Sequence, residues 1–225
     1  MNDQPEQRRY HHGDLRTALL EAAERSVRAH GAAQLSLRDL ARAVGVSHAA
    51  PRRHFADRQE LLDALAEEGF ALLGENIRRA LVDADEDFAA RTRGTASAFA
   101  HFAVENPALL ELMNSTKHQG APSVARAAEA AFEPIFELIR EGQAQDILEA
   151  GEPEELGLIL YATINGITML VNTNMVPAGR LDELTDTAVS QFLRGAAGGA
   201  GVGTISSARA GSRPPTPGCP VRARG

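Results

Sequence analysis

The residues of this chain best equipped for chemistry lie between Leu35 and Leu62. Ser47, His48, Ala49 and Ala50 form a run of small or polar side chains, and Arg52, Arg53 and His54 follow at once. Small residues allow a close approach to base edges. Ser47 and His48 can donate or accept hydrogen bonds there, and Ala49 and Ala50 can touch a thymine methyl. Arg52, Arg53 and His54 suit phosphate oxygens. Ser36 and Arg38, one short segment earlier, are placed to clamp the same backbone. The chemistry these types imply is recognition of double-stranded DNA.

Such residues need elements to hold them, and the flanking pattern supplies these. Asp14 is a candidate N-cap for a first helix, with Leu15, Leu19, Ala22, Ala23 and Val27 at helical spacing and Gly31 as its stop. Ser36 caps a second helix, with Asp39 three residues on and Leu37, Leu40, Ala41 and Val44 as its inner face. Gly45-Val46 makes a turn. Ser47 then caps a third helix predicted to reach Phe55, about nine residues and short enough for a major groove roughly 12 Å wide. Its free N–H groups would attract phosphate. Asp57 with Glu60 starts a fourth, long helix carrying Leu61, Leu62, Leu65, Phe70, Leu73 and Ile77. This is the layout of a helix-turn-helix reader of DNA.

Charge follows the same division. The chain of 225 residues has a net charge of −7, yet residues 1–58 carry +3 and residues 59–225 carry −10. A phosphate-facing surface belongs at the N-terminal end, and the acidic remainder should face away. Arg outnumbers Lys 22 to 1 throughout, a bias attributable to a GC-rich coding sequence rather than to binding. Hydrophobic residues make up 44% and aromatics only 4%, so the core is built from Leu, Ala, Val and Ile and favours helices.

The single cysteine, Cys219, excludes an internal disulfide framework. No apolar run is read as reaching the roughly 18 residues that span a bilayer, and the N-terminus has no apolar signal region. These readings point to a soluble, cytoplasmic protein without membrane contact. His11-His12 could touch DNA or bind a metal, but no ligand cluster accompanies the pair, so no metal and no cofactor is expected.

Beyond residue 87 the pattern is a helical body. Helices are predicted near 87–104, from Pro107 to about Met113, from Val124 to about Leu148, over 154–174 and over 181–194, with 115–123 as a loop. The fold class is therefore all-α, about nine helices. The divisions are a flexible arm (1–13), a helix-turn-helix domain (14–60), a regulatory and dimerisation body (61–194) and a Gly/Pro-rich disordered tail (195–225). The tail's four Arg could add non-specific DNA affinity or do nothing.

Residues 10–62 resemble the DNA-binding region of the tetracycline-repressor (TetR) family. The resemblance rests on a first helix ending at Gly31, Leu40-Ala41, Gly45-Val46-Ser47, His54-Phe55, Arg58 and Glu60-Leu61. Arg52 stands where the family usually has Tyr. Tyr10-His11-His12-Gly13-Asp14, Phe102-Ala103, Glu105-Asn106-Pro107 and Leu112-Met113 resemble a subgroup whose body carries a Trp-x-x-x-His-Gly signature. That signature is altered here to Tyr161-Ala162-Thr163-Ile164-Asn165-Gly166.

The resemblance implies a homodimer on a near-palindromic operator, with the helices near 154–174 and 181–194 at the interface. It also implies a repressor released by an unknown small apolar inducer. The DNA contacts would be Ser36, Arg38, Ser47, His48, Ala49, Ala50, Arg52, Arg53, His54 and Arg58. The inducer would meet Phe99, Phe102, Met113, Phe132, Phe136 and Met169, which would otherwise be plain core, and Tyr161 and Asn165, which occupy the signature positions. A regulator controlled by a protein partner is the alternative. An enzyme is disfavoured because no nucleophile–base pair or phosphate-cradling loop stands out.

Overall fold

A computed structural model of the chain describes residues 12–83, 87–117 and 120–197. Over these residues the fold is all-α. Eight helices follow one another: α1 (His12–His30), α2 (Leu37–Val44), α3 (Arg58–Asp83), α4 (Phe88–Glu105), α5 (Pro107–Thr116), α6 (Pro122–Ala144), α7 (Pro153–Asn172) and α8 (Leu181–Gly195). Three single 3-10 turns, Ala32–Gln34, Pro51–Arg53 and Ala178–Arg180, punctuate them. Among the described residues the only extended pairing is an isolated bridge between Leu148 and Ala197.

Local chemistry explains where the helices start. Ser36 accepts the Asp39 N–H at 3.4 Å, and Asp87 accepts the Ala90 N–H at 3.0 Å. Asp57 accepts the Glu60 N–H at 2.9 Å, while the Glu60 carboxylate turns back to the Ala56 N–H. Each bond satisfies a donor that the first helical turn leaves unpaired. α5, α6 and α7 instead begin on Pro107, Pro122 and Pro153. The missing N–H of proline costs nothing at that position.

One core runs from head to body. Leu19, Val27, Leu40, Phe55, Leu61 and Leu65 fill the head, and the same cluster continues through Phe70, Leu73, Ile77, Phe102 and Met113. α3 carries it across: it contacts α1 and packs most extensively on α6 and α4. A smaller cluster of Phe88, Leu138, Ile139, Leu148 and Leu156 closes the far end. Beside it Arg91 of α4 grips Glu141 of α6 through two bonds of 2.8 and 2.7 Å.

Four expectations need correction. The segment 47–55 is not an α-helix but a turn followed by the 3-10 turn Pro51–Arg53, which is why eight helices stand where nine were expected. Pro51 has no N–H to give the Ser47 carbonyl, and its ring crowds that carbonyl. Up to His54 the bonds formed span three residues instead, among them Ala50 N–H to Ser47 O at 2.9 Å and Arg53 N–H to Ala50 O at 3.1 Å, and only the Phe55 N–H reaches back four, to Pro51 O at 2.9 Å. Second, α1 already includes His12, ahead of the expected cap; the rest of the arm, 1–11, lies outside the described residues.

Third, order persists past the expected start of the tail at 195. Ala196 is buried and its carbonyl accepts the Glu149 N–H at 2.7 Å; residues 198–225 lie outside the described residues. Fourth, α7 is, by length and composition, apolar enough to cross a membrane. It buries one flank (Leu156, Leu160, Ile164, Val171) in the core and leaves Leu158, Ile159 and Met169 exposed on another. A helix apolar on two sides has a second surface to cover.

Candidate nucleic-acid interface and ligand cavity

The turn that presents Ser47 to Ala50 is set by Gly45. At φ 77° it occupies the left-handed region, which strains any residue with a Cβ. Its N–H reaches the Arg42 carbonyl at 3.2 Å and the Val46 N–H reaches Ala41 O at 2.9 Å. These paired bonds satisfy the last carbonyls of α2 and redirect the chain. Ser47, His48 and Ala49 then lie exposed, Ala50 is half-buried, and Arg52 and Arg53 project to solvent beside half-buried His54. Phe55, 1% exposed, anchors the segment in the head core. The Arg16 guanidinium lies 5.4 Å above its ring and 3.9 Å from Glu68 of α3. Burial pushes the Glu68 carboxyl above its usual range; Arg16 opposes this, and Glu24, Glu21 and Glu67 reinforce it.

The charges of this surface are unequally occupied. Asp39 is paired with Arg42 at 3.1 Å, and Asp57 and Glu60 are committed to backbone N–H groups. The side chains of Arg38, His48, Arg52 and Arg53 have no ion pair or hydrogen bond among the described residues. Negative groups are thus internally satisfied while positive ones remain available to a polyanion. Ser36 is spent on its cap. Arg58 is also engaged: its Nε donates to Leu35 O at 2.9 Å and its Nη2 to Ala32 O, holding the α1–α2 connection against α3. Its placement supports the reader from behind rather than offering a free charge.

A cavity of about 500 Å³ opens in the body between α3, α4, α5, α6 and α7. Four of the expected ligand residues line it: Phe99, Phe132, Phe136 and Tyr161. Tyr161 is the hub. Its ring lies 5.2 Å from Phe99 at 58° and 5.7 Å from Phe132 at 87°, an edge-to-face contact. Its hydroxyl donates to Asn114 Oδ1 at 3.3 Å. Burial pushes the phenol above its usual range, with the Asn114 bond working the other way, so it remains a neutral donor.

The other four are elsewhere. Phe102 and Met113 are sealed in the core, Met113 with no exposure at all. Asn165 is half-buried and does not reach the cavity, and Met169 is 62% exposed. The geometry of a helix explains this. Glu154, Gly157, Tyr161 and Ile164 share one stripe. Met169, eight residues past Tyr161, is rotated by about 80° from it. In the altered signature, Tyr161 and Ile164 look into the cavity, and Asn165 does not.

The sequence reading missed Phe70, Asn114, Lys117 and Glu154, which complete the wall and mouth. Lys117 had a visible signal: it is the only lysine in an arginine-rich chain. Its ammonium lies 5.7 Å over the Phe132 ring. Among the described residues no three His, Cys, Asp or Glu groups come together as a metal site.

Two family models match the chain: residues 19–65 match the bacterial regulatory proteins of the tetR family, and residues 92–192 match the tetracyclin repressor-like C-terminal domain. A Rhodococcus sp. RHA1 protein of unknown function is 40% identical, covers 85% of this chain and all of its own, and superposes with a TM-score of 0.79. A TetR family transcription regulator from Marinobacter aquaeolei VT8 is 18% identical over 82% of this chain and 96% of its own, with a TM-score of 0.69. PfmR, a TetR family transcriptional regulator from Thermus thermophilus, is 22% identical over 78% and 97%, with a TM-score of 0.63. The last two resemblances bear on the fold alone. No curated protein matches.

Proposed function

The chain belongs to the tetracycline-repressor family of bacterial transcriptional regulators, and from that premise we propose that it is a homodimeric, operator-binding repressor released from DNA by a small apolar ligand. The observation that carries the ligand is the aromatic-walled cavity of about 500 Å³ within the body. Its size is that of a site for a compact organic molecule, roughly 300–1,000 Å³. DNA would be met by Ser47 to Ala50 at base edges and by Arg52, Arg53, His54 and Arg38 at phosphates. Pro51 makes this reader a compact turn, so its contacts come from side chains at the bend rather than from a full helix.

The exposed flank of α7 supports the dimer. Leu158 and Ile159 are 63% and 58% exposed, an apolar surface that a second copy would cover together with α8. Two-fold symmetry would then set the readers about 34 Å apart on one face of the duplex. The ligand acts only through differential affinity: it must bind the DNA-incompetent arrangement more tightly than the competent one.

The test has two stages. Selection from random duplex DNA should enrich a near-palindrome, and fluorescence anisotropy on that duplex should then fall when certain apolar compounds are added. Failure to enrich any sequence would defeat the operator assignment. Enrichment with no response to a broad metabolite set would instead favour a regulator without a small-molecule ligand.

A further inference from the structure

The cavity is largely apolar but has a cation at its mouth. Lys117, directly after α5, is half-buried, and its ammonium sits above the Phe132 ring with no hydrogen bond or ion pair among the described residues. Beside it Tyr161 and Asn114 hydrogen-bond to each other, so a phenol O–H and an amide face the same opening. A cation over a ring face keeps its capacity for strong, charge-assisted hydrogen bonds. Glu154 is the one acidic group on the wall; it is exposed and solvated, which weakens its repulsion of an incoming anion.

Resting on the ligand-binding reading above, we propose that the ligand is an amphipathic monocarboxylate. Its hydrocarbon body fills the space between Phe70, Phe99, Phe132 and Phe136, and its carboxylate pairs with Lys117 Nζ and accepts the Tyr161 hydroxyl. The Tyr161–Asn114 bond, long at 3.3 Å, is the one exchanged on binding. A neutral apolar molecule would leave the ammonium without an anion. A cationic amphiphile would meet like charge at Lys117.

The full chain titrated calorimetrically with decanoate, decanamide and decylamine separates these cases. Decanoate should bind about tenfold or more tightly than decanamide, the equivalent of one good charge-assisted bond, and decylamine should bind most weakly. Lys117→Met keeps the apolar stem and should erase the preference for decanoate, whereas Lys117→Arg should retain it. Equal binding of decanoate and decanamide, or a preference unchanged in Lys117→Met, would overturn the carboxylate assignment while leaving the cavity as a ligand site. Tighter binding of decylamine would also overturn it and assign the head group to Glu154. If none of the three binds, and no compound alters operator affinity, the carboxylate and the ligand-binding reading fall together; release by a neutral compound alone would sink only the first.

Discussion

The carboxylate of Asp63 accepts the backbone N–H of Ala121 at 3.1 Å, tying α3 to the α5–α6 connection 58 residues away. Asp63 is 8% exposed and also accepts Gln59 Nε2 at 2.8 Å. Gly120 lies so close that a Cβ there would sit 2.8 Å from Asp63 Oδ1 and 2.7 Å from the Thr116 carbonyl. The connection that holds Lys117 at the cavity mouth is therefore latched to the first turns of the helix that enters the DNA-reading head.

Asp63→Ala should cost about 1–3 kcal/mol of stability, because the Ala121 N–H loses a charged acceptor in a partly buried position. Urea unfolding measures this. If the latch also transmits ligand binding, the variant should keep its ligand affinity while the ligand's effect on operator binding shrinks. Coupling that persists at the wild-type level would show that the signal passes elsewhere.

Arg52→Ala should weaken operator binding and lower the slope of log affinity against log salt by about 2, the signature of one lost phosphate contact in each half-site of the dimer. Anisotropy across a salt series reads both quantities. An unchanged affinity and slope would remove Arg52 from the interface.

Ile159→Glu places a charge on the exposed α7 flank without touching the core. The protein should fold with unchanged helicity yet sediment as a monomer, and its operator affinity should fall because one half-site reader acts alone. A variant that still sediments as a dimer would move the interface away from this flank.

The Arg91–Glu141 pair predicts a pH dependence. The hydrogen bond from Arg91 holds the Glu141 carboxyl below its ordinary value of 4.5, with the charge of Arg91 adding to it. A depressed folded-state value contributes stability that is fully present above pH 4.5 and lost as pH falls through the folded value. Both side chains are partly solvated, so the gain is about 1 kcal/mol or less. Wild type should exceed Glu141→Gln in urea midpoint near neutral pH, and the gap should close in acid. A gap that is flat with pH would mean that packing, not charge, separates the two.

Much of this architecture was legible because local rules act over a few residues. Helical spacing of Leu and Ala, the caps at Ser36 and Asp57, and the turn at Gly45 depend on neighbours within about one turn. The exposure of Ser47 to Ala49, Arg52 and Arg53 was legible for the same reason: it follows from a short, mostly polar run. The reader's conformation was not, because it turned on one competition. Helical spacing and the Ser47 cap favoured an α-helix over 47–55, and the absent N–H of Pro51 overrode them.

An all-α chain with a basic reader and an acidic body follows from side-chain type and period alone. Which aromatics surround space and which fill it does not. Phe99 and Phe102 are three residues apart on one helix, yet one lines the cavity and the other is sealed in the core. That difference depends on which helices lie opposite, a matter of long-range packing that no local period encodes. The same holds for Lys117, just past α5: α5 and α6 both pack on α3, and its ammonium comes to lie over Phe132 of α6, which gives the chain's single lysine a cavity to face.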